Sequence, residues 1–156
     1  MNKFIIKQFN QNMIKVFPII FIILSSCTTP KGIVIQPTFS TIYKNTNGGT
    51  DKAGYLHITS NEAYIMLIEA LKIDESEYNK LVSVNFNTND VVVVYQGQKN
   101  TGGYSIDVAE IHWENELLIV KTIETIPETG KPVSMVMTSP YCITIIPKAK
   151  LISLIQ

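Results

Sequence analysis

The sequence predicts an α+β fold, in which a mainly antiparallel β-sheet of sandwich or half-barrel form packs against one principal α-helix. Two observations lead to this prediction. Residues 62–72 carry apolar side chains at helical spacing, whereas most of the chain after residue 38 consists of short strand-like runs bounded by turn formers. Strands that follow one another without intervening helices favour antiparallel pairing, with the helix on one face of the sheet.

The helix is marked by its start and by its apolar stripe. Residues 59–62, Thr-Ser-Asn-Glu, match the capping box, in which a hydroxyl and a carboxylate three residues apart satisfy free backbone amides. Four apolar residues then fall at i, i+3, i+4 and i+7, namely Tyr64, Leu67, Ile68 and Leu71. This spacing predicts a helix that faces the core.

The remaining runs predict strands, and one of them is the centre of the sheet. Residues 91–95, Val-Val-Val-Val-Tyr, are apolar on both faces, so we expect a strand that is covered on both sides. Alternation reverses phase at Val108-Ala109, which predicts a β-bulge there because a slip of one residue exposes the wrong face. The other expected strands are residues 39–43, 55–58, 104–113, 117–126, 133–137, 142–146 and 151–155.

The start of the chain has the features of an export signal. Lys3, Lys7 and Lys15 precede nine residues without charge, 16–24, which are too few to span a bilayer. The run ends in Leu-Ser-Ser-Cys, which resembles the bacterial lipobox. We therefore expect residues 1–26 to be a signal peptide, with translation starting at Met13, and Cys27 to be acylated.

The predicted signal fixes the domain organisation and the expected location. Residues 27–37 then form a tether, and residues 38–156 form a single domain. Through the acyl chains expected on Cys27, membrane lipid is the first expected partner. Because Thr28-Thr29 lacks the aspartate of inner-membrane retention, we expect the periplasmic face of the outer membrane in a two-membrane bacterium.

Composition excludes several classes of function. Without residues 1–26 the chain has ten lysines against 13 acidic residues, a net charge of −3, and no arginine. It therefore lacks the basic surface of a nucleic-acid-binding protein. Neither His57 nor His112 has metal-ligand spacing, and no nucleophile elbow or phosphate-binding loop occurs. We expect no catalytic residues, metal, cofactor or small-molecule substrate, and a buried, inert Cys142 thiol.

Two loops carry the remaining information about function. The first, residues 97–104, is long for a hairpin loop and ends in Thr101, Gly102, Gly103 and Tyr104. The second contains Ser139, Pro140 and Tyr141. Each tyrosine offers an aromatic face and a hydroxyl to a partner. The alternative is that Tyr104 is a strand-end residue of the core after a glycine-rich turn.

The order of these motifs resembles the PrcB family. The shared pattern is the aliphatic strand, Gly97, TGGY-S at residues 101–105, TSPY at 138–141 and Ile-Pro-Lys at 146–148, over roughly residues 84–148. Cys142 departs from the pattern, since relatives more often carry histidine or another polar residue there. The resemblance implies a non-catalytic subunit that binds or stabilises an exported protein, with a secreted protease as one candidate partner. It also implies that both loops contact that partner.

A second resemblance leaves inhibition open. Residues 100–104 are similar to the glycine-tyrosine loop of chagasin-type cysteine-protease inhibitors, and Pro140-Tyr141 to their later loop. The proline expected near Asn100 and the tryptophan expected after Tyr104 are missing. This resemblance implies direct inhibition of a protease by inserted loops.

Overall fold

The computed structural model describes residues 37–81 and 83–156, and the elements within them belong to one compact unit. The predicted signal peptide, the Met13 start, Cys27 and all of the predicted tether except Pro37 lie outside the described residues. The elements in chain order are β1 (Ser40–Asn45), β2 (Ala53–Ile58), α1 (Asn61–Leu71), α2 (Glu75–Leu81), β3 (Asn89–Gln96), β4 (Ser105–Glu114), β5 (Leu117–Thr125), β6 (Tyr141–Pro147) and β7 (Leu151–Ile155).

The strands form two sheets. The first has the order β1-β6-β3-β2 and is antiparallel throughout. The second has the order β4-β5-β7, in which β4 and β5 form a hairpin and β7 pairs parallel to β5. The predicted α+β class with mainly antiparallel strands is confirmed.

Strand β3 is covered on both faces, as its sequence predicted. Val91, Val93 and Tyr95 pack with the helices, whereas Val92 and Val94 pack against the second sheet. The fold is therefore a stack of three layers: helices, first sheet and second sheet. The helix-side cluster includes Tyr64, Ile68, Leu81, Tyr141 and Ile143, and the inter-sheet cluster includes Ile106, Val108, Ile111, Leu118, Val120, Cys142 and Ile146.

Helix α1 starts one residue later than its sequence motif indicated. The Ser60 hydroxyl accepts the hydrogen bond of the Ala63 amide at 3.3 Å, so Ser60 is the N-cap in place of Thr59. Tyr64 and Ile68 of the predicted stripe are buried, and the helix ends at Lys72 in the left-handed conformation. A second helix, α2, follows. The sequence reasoning missed it because its seven residues are mostly polar.

The second half of the chain confirms the bulge and corrects one strand. The pairing of β4 with β5 shifts register between Val108 and Glu110, which leaves Ala109 as the extra residue. The strand predicted at residues 133–137 does not form. That segment is a loop, and only Thr138 after it makes an isolated bridge, with Lys99.

One buried carboxylate ties the end of β6 to the rest of the sheet. The side chain of Asp90, at the start of β3, is 1% exposed. It accepts hydrogen bonds from the Ala149 amide at 3.0 Å and the Lys148 ammonium at 3.2 Å, and it lies 3.1 Å from His57 Nε2. Three separate segments therefore meet at this carboxylate.

Removing this carboxylate should destabilise the fold. We expect Asp90→Ala to lower the free energy of unfolding by about 3 kcal/mol, because the buried Ala149 amide loses its acceptor. The Lys148 ammonium and the His57 side chain lose the same carboxylate. Urea denaturation measures the change. Glu128→Ala is the matched control, since it removes an exposed ion pair with Lys131 and should cost no more than about 0.5 kcal/mol. Equal effects of the two substitutions would contradict the anchoring role of Asp90.

Candidate partner-binding site

The two predicted loops lie side by side. The Lys99 amide donates to the Thr138 carbonyl at 2.7 Å, and the Thr138 amide donates back to the Lys99 carbonyl at 2.9 Å. The Thr138 hydroxyl also donates to the Thr101 carbonyl at 2.9 Å. Residues 101–104 and 138–141 are therefore neighbours, while their contact with a partner stays a prediction.

The glycines of the first loop pack closely against the segment that precedes the second loop. A side chain at Gly102 would collide with the Ser134 hydroxyl, and the Gly102 amide donates to the Ser134 carbonyl at 2.9 Å. Gly103 has φ of +88°, and a Cβ there would lie 3.0 Å from Pro127 Cβ. Both glycines thus fit the loop against residues 127–134.

A third loop joins the two predicted loops. Residues 46–49 are held by Ser139 through three hydrogen bonds. The Ser139 amide donates to the Thr46 carbonyl at 2.9 Å, its carbonyl accepts from the Gly49 amide at 3.0 Å, and its hydroxyl accepts from the Gly48 amide at 3.2 Å. Ser139 therefore connects loops inside the protein. We name the three joined loops, residues 46–49, 97–104 and 138–141, the loop cluster.

The expectation that Tyr141 is an exposed aromatic anchor is wrong. Its side chain is 1% exposed and packs between Tyr43 and Tyr95, with ring centroids 6.0 and 6.2 Å away. Burial raises the pKa of the Tyr141 hydroxyl well above its ordinary value of 10.0. Pro140 and Gly102 are also buried. These three residues lie inside the loop cluster. Their packing holds the loops in position.

Among the predicted partner-binding residues, Tyr104 and its neighbours reach the surface of the protein. Tyr104 is half-buried, and the Lys99 ammonium lies 5.5 Å from its ring centroid, within cation–π range. Thr101 is half-buried and Gly103 is exposed. These residues remain available to a partner at the surface of the cluster.

The most exposed apolar residues of this region come from the segment that was predicted to be a strand. Met135, Val136 and Met137 have 86%, 60% and 62% of their surface exposed, and we name them the apolar tip. The tip follows Ser134, which is bonded to Gly102, and precedes Thr138, which is paired with Lys99. It thus projects from a loop that is fixed at both ends. Pro127, Gly130 and Pro132 precede the tip, but turn formers also bound strands, so they did not distinguish this loop from a strand.

A cleft of about 590 Å³ opens beside the loop cluster. Two cross-strand pairs of the β4–β5 hairpin line it, Ser105 with Thr125 and Asp107 with Ile123. The other lining residues are Lys44, Asn45 and Thr46 at the end of β1, together with Ile106 and Tyr141. Because Ser105 follows Tyr104 and Tyr141 follows Pro140, both predicted loops run directly into this cleft.

An ion pair joins the two sides of the cleft. The Lys44 ammonium donates to Asp107 at 2.8 Å, and the Thr41 hydroxyl donates to the same carboxylate at 2.7 Å. The hydrogen bond to Asp107 raises the pKa of Lys44. Burial disfavours the charged form of Asp107, but hydrogen bonds from Lys44, Thr41 and the Val108 amide outweigh it and lower the pKa below 3.8. Both groups are therefore charged at neutral pH.

The Cys142 thiol is buried in the core of the domain. Burial raises the pKa of the Cys142 thiol to about 11, so it is protonated and inert at neutral pH. Across residues 37–81 and 83–156, no group of three or more histidine, cysteine or acidic side chains is placed to hold a metal ion. None of the helices in the same part of the chain is long and apolar enough to cross a membrane.

Comparison with protein families gives a match for one segment in the second half of the chain. Residues 91–147 match the family model described as PrcB C-terminal. This segment is similar to the PrcB C-terminal family. The matched segment runs from β3 to β6 and includes the apolar tip, the β4–β5 wall of the cleft and two of the three loops of the cluster. Comparisons with curated proteins and with solved structures give no match.

The two tyrosines should respond differently to truncation. We expect Tyr141→Ala to lower the free energy of unfolding by about 3–5 kcal/mol, because it empties a buried aromatic site. Tyr104→Ala removes a half-buried ring with one cation–π contact and should cost about 1 kcal/mol or less. Urea denaturation of both variants provides the measurement. A larger loss for Tyr104→Ala than for Tyr141→Ala would overturn this assignment.

Proposed function

We infer that this chain is a non-catalytic lipoprotein of the bacterial envelope whose domain binds or stabilises an exported protein partner. The observation that carries the proposal is the apolar tip, where Met135, Val136 and Met137 are exposed together. Adjacent exposed apolar residues on a folded domain are typical of an interaction site. Methionine suits such a site because its flexible side chain adapts to the surface it meets.

The fixed position of the tip strengthens this inference. Hydrogen bonds from Gly102 to Ser134 and between Lys99 and Thr138 hold the segment on either side of the tip. A loop that is already ordered loses less conformational entropy on binding than a free one. The exposed faces of Thr101, Gly103 and Tyr104 lie on the loop to which the tip is tied, so they extend the same surface.

The match of residues 91–147 to the PrcB C-terminal family model supports the choice of partner. The PrcB name points to a subunit associated with a protease complex, so we propose a secreted protease as the partner. The buried and protonated Cys142 thiol supports a non-catalytic role. The predicted acylation of Cys27 would hold the domain at the membrane, on the periplasmic face of the outer membrane in a two-membrane bacterium.

Direct inhibition of the chagasin type is less well supported. That mode requires both loops to project into a protease active site. Pro140 and Tyr141, which would form the second projecting loop, are buried in this structure. Binding through the apolar tip and the surface of the first loop fits the observed exposure better.

Capture of a partner tests the proposal. We expect a domain of residues 28–156, which contains all the described elements, to retain an exported protein from envelope extract. Val136→Asp should weaken this capture by about 2 kcal/mol, because it places a charge in the apolar contact, while leaving the melting temperature unchanged. Quantitative pull-down with thermal melting of each variant measures both effects.

A matched control exists on β7. Leu151 is 61% exposed, close to the 60% of Val136, and lies on the second sheet outside the loop cluster. Leu151→Asp should leave capture unchanged. Retention of every partner by Val136→Asp, or equal loss with Leu151→Asp, would refute the apolar tip as the binding site.

Membrane attachment should depend on Cys27. We expect Cys27→Ala to abolish acylation and to release the protein from the membrane fraction, because two or more acyl chains provide stable anchoring and none would remain. Cys142→Ala is the control, since that thiol is buried in the domain and should not affect fractionation. Intact mass and membrane fractionation give the result. An unchanged mass and an unchanged membrane fraction for Cys27→Ala would disprove the lipoprotein assignment.

A further inference from the structure

The chain enters the domain at the end that lies opposite the loop cluster. Strand β3 begins at Asn89, which pairs with Pro147, and its ladder ends at Tyr95, which pairs with Tyr141 of the loop cluster. The eight residues of β3 span about 25 Å. Residues 38–40, near the start of the described chain, line a shallow groove together with Asn89. The entry point of the chain and the loop cluster are therefore separated by the length of β3.

The entry end of the domain carries an exposed aromatic residue. Trp113, the only tryptophan in the sequence, is 41% exposed. It lines a second, smaller cleft of about 240 Å³ together with Glu116, Lys148 and Lys150. Leu151, which follows in the chain, is 61% exposed. We name these five residues the tryptophan patch.

Hydrogen bonds of Lys148 place the tryptophan patch at the start of β3. The Lys148 amide donates to the Thr88 carbonyl at 3.1 Å. Its ammonium donates to the Phe86 carbonyl at 2.9 Å and to the buried Asp90 carboxylate at 3.2 Å. Asn89, which follows Thr88, borders the groove at the entry point of the chain. The tryptophan patch and the entry point therefore share one end of the domain.

We propose that the tryptophan patch rests on the lipid bilayer in which Cys27 is anchored, so that the loop cluster points away from the membrane. The proposal rests on the proposed function, since it assumes that Cys27 is acylated. Cys27 precedes Pro37 by ten residues, which span at most about 35 Å when fully extended. This short connection keeps the entry end of the domain close to the bilayer, whereas the loop cluster lies the length of β3 farther along the domain.

The side chains of the tryptophan patch suit the surface of a bilayer. Tryptophan favours the level of the lipid headgroups, because its ring is apolar and its N–H group is polar. The exposed Leu151 side chain adds an apolar contact beside it. Lys150 and Glu116 are both exposed, so the patch offers one charge of each sign. A zwitterionic headgroup, with its phosphate and its ammonium, complements such a pair, and the contact therefore does not require anionic lipid.

Quenching of Trp113 fluorescence by brominated lipid tests the proposal. The full chain, acylated at Cys27, is placed in phosphatidylcholine vesicles whose acyl chains either carry bromine near the headgroup or carry none. Bromine quenches a tryptophan ring only at short range. We expect the emission of Trp113 to fall by about half in the brominated vesicles, because its ring lies at the level of the headgroups.

A control variant moves the fluorescent probe to the other end of the domain. The double substitution Trp113→Phe and Val136→Trp leaves a single tryptophan, which lies in the apolar tip. Its emission should be the same in both kinds of vesicle, because the tip is held by the loop cluster, away from the bilayer. Thermal melting shows whether this variant is folded.

The outcomes separate the membrane contact from the proposed function. Quenching of Trp113 without quenching of the tip variant supports the proposal. Equal emission of Trp113 in both kinds of vesicle, from protein that floats with them, would overturn the contact and leave acylation standing. Quenching of the folded tip variant would overturn the proposed orientation. Protein that does not float with the vesicles would overturn acylation and the proposal together.

Two aspartate variants give an independent measurement. Leu151→Asp places a charge in the lipid contact and should remove most of the quenching of Trp113, while the acyl chains still hold the protein on the vesicles. Ile123→Asp is the matched control, since Ile123 is 59% exposed on the same sheet but lines the cleft beside the loop cluster. It should leave the quenching unchanged. Equal quenching in the two variants would overturn the tryptophan patch as the membrane contact.

Discussion

Burial of β3 on both faces is the constraint on which the rest of the structure depends. A strand of four valines and a tyrosine must be covered twice, so the helices occupy one side and the β4–β5–β7 sheet the other. Partner strand β6 follows the same rule, with Tyr141 and Ile143 on the helix side and Cys142 and Ile146 on the other. At the end of the β3–β6 pair that lies away from the loop cluster, the Asp90 carboxylate accepts a hydrogen bond from the Ala149 amide.

This strand pair also determines where the functional surface forms. The loops that leave β3 and enter β6 must meet, because Tyr95 is paired with Tyr141 at the end of the ladder. The Lys99–Thr138 bridge and the Gln96 amide bond to the Pro140 carbonyl continue that contact into the loops. The core therefore fixes the position of the loops that hold the apolar tip. A loop that is ordered before binding loses less conformational entropy when a partner binds.

Sequence patterns predicted the features that depend on local chemistry. The valine run, the bulge at Ala109 and the stripe of α1 follow from periodicity, and two-sided burial of β3 follows from the same valines. The site was predicted less completely, because burial of Tyr141 depends on Tyr43 and Tyr95, which are distant in sequence. The tip was missed since Met-Val-Met has the composition of a strand, and only the absence of a pairing partner makes it a loop. The cleft arises between β1 and β4, whose neighbourhood no local pattern encodes.

Amide hydrogen exchange of the free protein measures whether the binding surface is preassembled on the β3–β6 core. We expect the amides of Lys99, Gly102 and Thr138, which donate hydrogen bonds within the cluster, to exchange nearly as slowly as those of β3 and β6. Met135 and Val136, which belong to the exposed tip, should exchange faster. If Lys99, Gly102 and Thr138 exchange at the rate of the tip, the surface is not preassembled, because the loops would then be ordered only by the partner.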